Sequence, residues 1–249
     1  MALDILSAGA PDSERFVLEL CDSFKAEALA RGPAAFLHAK KAFALASIEQ
    51  LVPVLSDDCI RMDVYPLCLP HLSDSSHRET YESAHSVMLA IFASHARRMG
   101  ERDERASAAP AFAEQIVPFY TQCLIDNAHD GKLSTAQLCL AYAALVRSAS
   151  TFTGHGEADA SEHTEGDVIA WFCIETLLAA IRNASAAAPS SSMSSRPRSA
   201  DLHLTLIATL PALSLALLPR VLEEVAEIVG LSAHRRCCRA PGGSPPCAV

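Results

Sequence analysis

The sequence predicts an all-α protein: an irregular antiparallel stack of helices, a solenoid of the HEAT or armadillo kind. Three observations carry this. Ala and Leu dominate a chain of 249 residues that is half apolar, with 6% aromatics and ten glycines, a composition of helices and not of a sandwich or barrel. Apolar residues recur at helical spacing, with no β-branched alternation, and the Asp-Gly pair at 130–131 falls between helices. Finally, an apolar pair, a proline and more apolar residues recur in "LVPVL", "IVPFY" and "LLPRVL", around Pro53, Pro118 and Pro219. Helical repeats often bend at such prolines, and the unequal spacing of these three makes the stack irregular.

The elements follow in order. In "SHRETYESAHSVMLAIFASHARRM" (76–99), Ser76-x-x-Glu79 has capping-box spacing, and Tyr81, Ala84, Met88, Ile91, Phe92 and His95 fall on one stripe with His85 at its border. Gly131 is expected to close the helix "AFAEQIVPFYTQCLIDN", and Ser134-x-x-Gln137 to cap "LCLAYAALVRSA", which makes a helical hairpin. "GDVIAWFCIETLLAAIRN" is apolar nearly all round and is expected to lie deep, with Trp171 and Phe172 buried. Asp201 is expected to cap the next helix and Gly230 to end "SLALLPRVLEEVAEIVG". The whole reads as one α-helical, repeat-like domain over 1–232, with disordered loops near 100–111, 153–167 and 184–200 and a disordered tail at 233–249.

Charge and cysteine content narrow the function. Twenty basic against 29 acidic residues give −9, which argues against nucleic acid, because a phosphate backbone needs clustered Lys and Arg. Six cysteines (Cys21, Cys59, Cys68, Cys123, Cys139, Cys173) stand singly among apolar residues and read as reduced core thiols. The start "MALDILSAGAPD" has Asp4 where a secretory signal needs a basic residue, so secretion is not expected. The longest apolar run, 202–218, is near the lower length for a membrane span, but Pro211, His203, Thr205, Thr209 and Ser214 favour two short buried helices. Peripheral membrane association stays open.

Candidate chemistry is sparse. Glu82-x-x-His85 has the spacing of one di-iron element, but such a site needs a second copy and two further glutamates, which the chain lacks. His85 and His95 lie about 15 Å apart along one helix, too far to share an ion. Both are expected to be core or partner-contact histidines. His155, Glu157, Asp159, Glu162, His163, Glu165 and Asp167 crowd one loop without calcium-loop spacing and read as a solvated linker. His234, Cys237, Cys238 and Cys247 resemble a zinc set in composition alone, with no paired C-x-x-C knuckles. Nucleophile, phosphate-loop, H-E-x-x-H and dinucleotide motifs are missing. The expectation is a non-enzyme with no catalytic, cofactor-binding or metal residues and no small-molecule substrate.

Three segments together, "HRETYESAHSVMLAIFASHA" (77–96), "IVPFYTQCLIDNAHDGKLSTAQLCLAYAALVRSAS" (116–150) and "LHLTLIATLPALSLALLPRVLEEV" (202–225), resemble the fungal intraperoxisomal peroxin, the eighth peroxin of the peroxisomal matrix-protein import machinery. With "AWFCIETLLAAIR" the resemblance spans most of 12–230. It implies a peripheral protein on the matrix side of the peroxisomal membrane that links the docking and ubiquitin-ligase complexes. The implied partners are the peroxins of those complexes and the import receptor. The best-known members end in a Ser-Lys-Leu-like address, whereas this sequence ends Cys247-Ala248-Val249. The residues alone also fit a general helical-repeat adaptor of cytosol or nucleus.

Overall fold

The computed structural model describes residues 9–29, 34–101, 112–152, 165–187 and 196–238. Among these there is no strand; the chain forms α1 (Ala10–Leu29), α2 (Ala34–Leu51), a short composite helix α3 (57–68), α4 (Arg78–Glu101), α5 (Phe112–His129), α6 (Thr135–Ala149), α7 (Glu165–Ala187), α8 (Arg196–Thr209) and α9 (Leu218–Cys238). The all-α helical stack is the fold the composition and periodicity predict.

Packing sorts the helices into two rows. Each helix touches the one two places along: α2, α4, α6 and α8 form an even row, and α5, α7 and α9 follow one another in an odd row. The side-chain bridges show that row neighbours run parallel. Between α4 and α2 with the 3₁₀ turn that follows it, the Thr80 hydroxyl donates to the His38 carbonyl and Arg98 to that of Leu55, pairs 42 and 43 residues apart near opposite ends of α4. Between α6 and α8, Thr135 donates to Asp201, and Cys139 lies beside Thr205, both 66 apart. A constant separation along a pair requires parallel axes; in an antiparallel pair it would change steadily. Helices joined by short loops are antiparallel, so stacked hairpins give two rows of opposite direction.

The odd row starts with α1 on α3, where Glu14 accepts from the Ser56 backbone N–H at 2.9 Å. Tyr65 of α3 then meets Phe112 and Phe119 of α5 edge-on. Thr121 of α5 meets Cys173 of α7, and Arg220 of α9 stacks on Trp171 of α7, 3.6 Å from the ring centre. Buried side chains from Val17 to Val221 join one apolar cluster that runs between the rows.

Local signals act as expected at the α5–α6 turn. Gly131 takes φ +69°, which only glycine adopts cheaply, and Lys132 N–H returns to the Asn127 carbonyl. Ser134 and Gln137 form a reciprocal capping box. Proline works in three ways: Pro53 lies in a 3₁₀ turn after α2, Pro219 in the first turn of α9, and Pro118 inside α5, where it removes the N–H that would meet Glu114.

Four expectations need correction. Phe172 is 41% exposed and Trp171 only partly buried: α7 belongs to a row, so one face packs and the other looks outward. Asp201 lies inside α8, where it accepts from Thr135, and so does not cap it. Ser76 gives its N–H and hydroxyl to Asp74, and α4 begins at Arg78. Gly230 does not end α9, which continues to Cys238; a glycine inside an exposed helix costs only about 1 kcal/mol against alanine. The expected loops coincide in part with 102–111, 153–164 and 188–195, and the tail with 239–249, all outside the described residues.

The run 202–218 is not one helix. It is the end of α8, a 3₁₀ turn at Leu210–Ala212 that starts beside Pro211, and a turn into α9. Thr205 and Thr209 bury their hydroxyls by bonding to carbonyls of their own helix. Among the described residues α7 alone is long and apolar enough to cross a membrane, over Asp167–Ser185. It packs against α5, α6 and α8 through Ala170, Cys173, Ile174, Leu177 and Ile181, as the core helix of a stack does.

Candidate functional site

The centre of the molecule is α4, which packs on α2, α3, α5 and α6. Its predicted stripe is wholly internal: Tyr81, Ala84, Met88, Ile91 and Phe92 are at most 1% exposed, and His85 and His95 follow at 6% and 3%.

His85 sits in a knot of polar groups around one carbonyl. Its Nε2 lies 3.2 Å from the Leu72 carbonyl and its Nδ1 3.0 Å from the Tyr120 hydroxyl. A carbonyl only accepts, so Nε2 carries the proton and Nδ1 accepts from the tyrosine. The Leu72 carbonyl also accepts from the Asn127 amide at 2.6 Å and the Cys123 thiol at 3.5 Å. Burial, outweighing the help of the Leu72 bond, pushes the imidazole pKa down to about 4. The ring is therefore neutral at pH 7, with both nitrogens engaged. The knot joins the turn after α3, helix α4 and helix α5.

Glu82, three residues earlier, points elsewhere. One of its oxygens accepts from Arg78 at 2.6 Å and from Gln137 at 2.7 Å. The Gln137 bond first, and Arg78 after it, hold this carboxyl below its ordinary range. Arg78 also donates to the Lys132 carbonyl and to Gln137, so the carboxylate is tied to the cap of α6. The two halves of Glu82-x-x-His85 thus serve separate contacts: Glu82 joins α4 to its row neighbour, and His85 joins it to the other row.

His95 packs edge-on against Phe152, centroids 5.0 Å apart, with Nε2 3.6 Å from the Glu114 carboxylate. A second histidine group lies at the start of α4, where His38 and His77 stack at 3.2 Å. Burial lowers the pKa of His38, and His77 and Lys41 add to this; burial also lowers that of His71.

The thiols are quiet. Cys21, Cys59, Cys68, Cys123 and Cys173 are buried and Cys139 partly so, all unbridged. Burial pushes the Cys59 thiol up to about 12 and those of Cys123 and Cys173 to about 11, far from the thiolate that nucleophilic or redox chemistry needs. Of the acidic-loop residues, Glu165 opens α7 and Asp167 lies two residues on, buried and accepting from the Ser214 hydroxyl at 2.6 Å. His155, Glu157, Asp159, Glu162 and His163 lie outside the described residues, as does Cys247. His234, Cys237 and Cys238 fall on the last turns of α9. Among the described residues no three His, Cys, Asp or Glu side chains converge as metal ligands.

Tyr120, Asn127, Arg78 and Gln137 had no sequence signal as a set. Their partners are 35 to 59 residues away, and only the pairing of rows brings them together. The one legible hint was the Ser134/Gln137 cap.

Comparison with known proteins fits this architecture. Residues 13–93 match the family model described as the PEX8 central TPR-like domain. The match takes in α1 to α3 and most of α4, about a third of the chain. No curated protein and no solved structure matches the chain. A stack of helical hairpins whose first part matches that domain supports a PEX8-type peroxin.

Proposed function

We propose that this chain is a non-enzymatic scaffold of peroxisome biogenesis, held peripherally on the matrix side of the peroxisomal membrane, which aids matrix-protein import by linking the docking and ubiquitin-ligase complexes. The observation that carries this is the match of residues 13–93 to the PEX8 central TPR-like domain, set on two rows of stacked helices. The interior agrees with a scaffold. His85 and Glu82 are spent on holding helices together, and buried thiols with raised pKa values are poor nucleophiles.

The test is deletion of the gene in its host and imaging of a fluorescent matrix reporter, beside a tagged copy of the chain. The reading expects a cytosolic reporter that re-enters peroxisomes on complementation, and a tagged chain coincident with a peroxisomal membrane marker. Normal import with a diffuse tag would overturn it in favour of a general helical adaptor. Direct binding of the docking and ligase complexes, assayed with purified components, tests the linking role separately.

A further inference from the structure

We infer that the free face of α4 and α6 is a docking groove for one amphipathic helix of a partner protein, which inserts a polar-tipped aromatic side chain at one end and sets acidic residues two to three turns further along. This rests on the scaffold reading but names a surface and a chemistry which that reading does not.

Both helices have neighbours on each side in the even row and the odd row behind them, so one stripe of each is left uncovered. On α4 the stripe is Ser83, Ser86, Ala90, Ala93 and Arg97; on α6 it is Ala136, Leu140, Ala143, Ala144 and Arg147. None of these ten is acidic; Glu79, exposed one turn before Ser83, and Glu82 lie at the end of the trough opposite the two arginines. The two charges are arginines near the C-terminal ends of parallel helices, hence at one end of the trough. Small side chains along both walls let another helix axis come close, and Leu140, 72% exposed, stands on one wall.

A cavity of about 300 Å³ opens between the two helices; Leu89, Leu133 and Leu140 line it together with Tyr81 and with Glu82 and Gln137, which are bonded to each other. Tyr81 is fully buried, and its hydroxyl has no hydrogen-bond partner among the described residues. An orphan hydroxyl in a site lined by leucines suits an anchor with an apolar body and a polar tip. Leu140 to Arg147 is seven residues and Ser86 to Arg97 eleven, a rise of about 10 to 16 Å. That distance places acidic residues of the bound helix two to three turns from its anchor. A lipid surface fits less well: membrane-bound faces carry protruding apolar side chains among many basic ones, whereas these stripes are mainly Ser and Ala.

The probes are 16-residue helical peptides with a leucine stripe and a tyrosine anchor, bearing either two glutamates or two lysines two to three turns from the tyrosine. Anisotropy with the full chain is expected to show at least tenfold tighter binding of the glutamate peptide. Leu140→Glu, an exposed site that leaves the fold intact by thermal melting, should cost at least tenfold. Arg97→Glu with Arg147→Glu should reverse the preference. Tyr81→Phe should weaken the tyrosine peptide severalfold but not one with phenylalanine as anchor. Equal binding of both peptides, or binding unchanged by Leu140→Glu, overturns the proposal. So does Leu140-dependent binding to vesicles of neutral or anionic lipid without peptide binding, or Leu140-dependent self-association in sedimentation. Failure here with reporter import still dependent on the chain would leave the scaffold reading standing and move its contact surface elsewhere.

Discussion

The first four helices and the last five obey the same packing rule with different regularity. In the first part, row neighbours bridge at a nearly constant separation of 42 or 43 residues, from Glu14–Ser56 and Cys21–Asp63 to Thr80–His38 and Arg98–Leu55. In the second the separation varies: 55 for Glu82–Gln137 and 66 for Thr135–Asp201 in the even row, 52 for Thr121–Cys173 and 42 for Arg182–Glu224 in the odd row. The regular part is where the family model matches. Repeat length varies in the later part without breaking the rows, because what a row requires is contact between helix faces and not a fixed loop length. Helix α4 belongs to both parts, which makes it the place to test whether they are one structure.

The largest effect is expected there. Phe92, fully buried on α4 against Tyr120, should cost about 3–5 kcal/mol when changed to Ala. If α4 is shared, thermal unfolding keeps one transition at lower temperature. Two separated transitions would show that the regular and irregular parts fold independently.

Next is the pH dependence of the knot that joins α3, α4 and α5. His85 binds a proton less readily folded than unfolded, so its contribution to stability is intact above its ordinary imidazole range. Stability falls as pH drops through 6.5 and stops falling below about 4, a total of about 3 kcal/mol. Denaturant titrations from pH 7 to 4 should show this slope in the wild type and a much smaller one in His85→Gln. Equal slopes would place the acid-sensitive group elsewhere.

Smaller effects refine the comparison. Ser134→Ala removes the cap on which α4 and α6 converge and should cost about 1 kcal/mol, read from the urea midpoint. Tyr81→Phe removes an unpartnered buried hydroxyl and should raise stability by about 1 kcal/mol. Arg182→Ala breaks the exposed pair with Glu224 between α7 and α9 and should change stability by less than about 1 kcal/mol.

The sequence made local features legible and left row-level ones hidden. Gly131 with the Ser134/Gln137 box marked the α5–α6 hairpin, since every signal lies within a few residues. The Tyr81-to-His95 stripe was legible because α4 has a clear polar remainder. Asp201 was misread because the group it serves, Thr135, lies 66 residues away, and Trp171 and Phe172 because a helix apolar all round looks the same in the middle of a core and in a row with one uncovered face. The exposed Phe36 and Phe43 of α2 escaped notice for the same reason. The reach of Glu82 to Gln137 could not be read at all, because it depends on which helices become row neighbours.

The most direct test joins surface to function. A strain lacking the chain, expressing either wild type or Leu140→Glu at equal level, is scored for import of a matrix reporter, with thermal melting of both purified proteins alongside. The account predicts equal melting temperatures, import restored by the wild type, and import lost with the variant. Full import by a folded Leu140→Glu protein would contradict it.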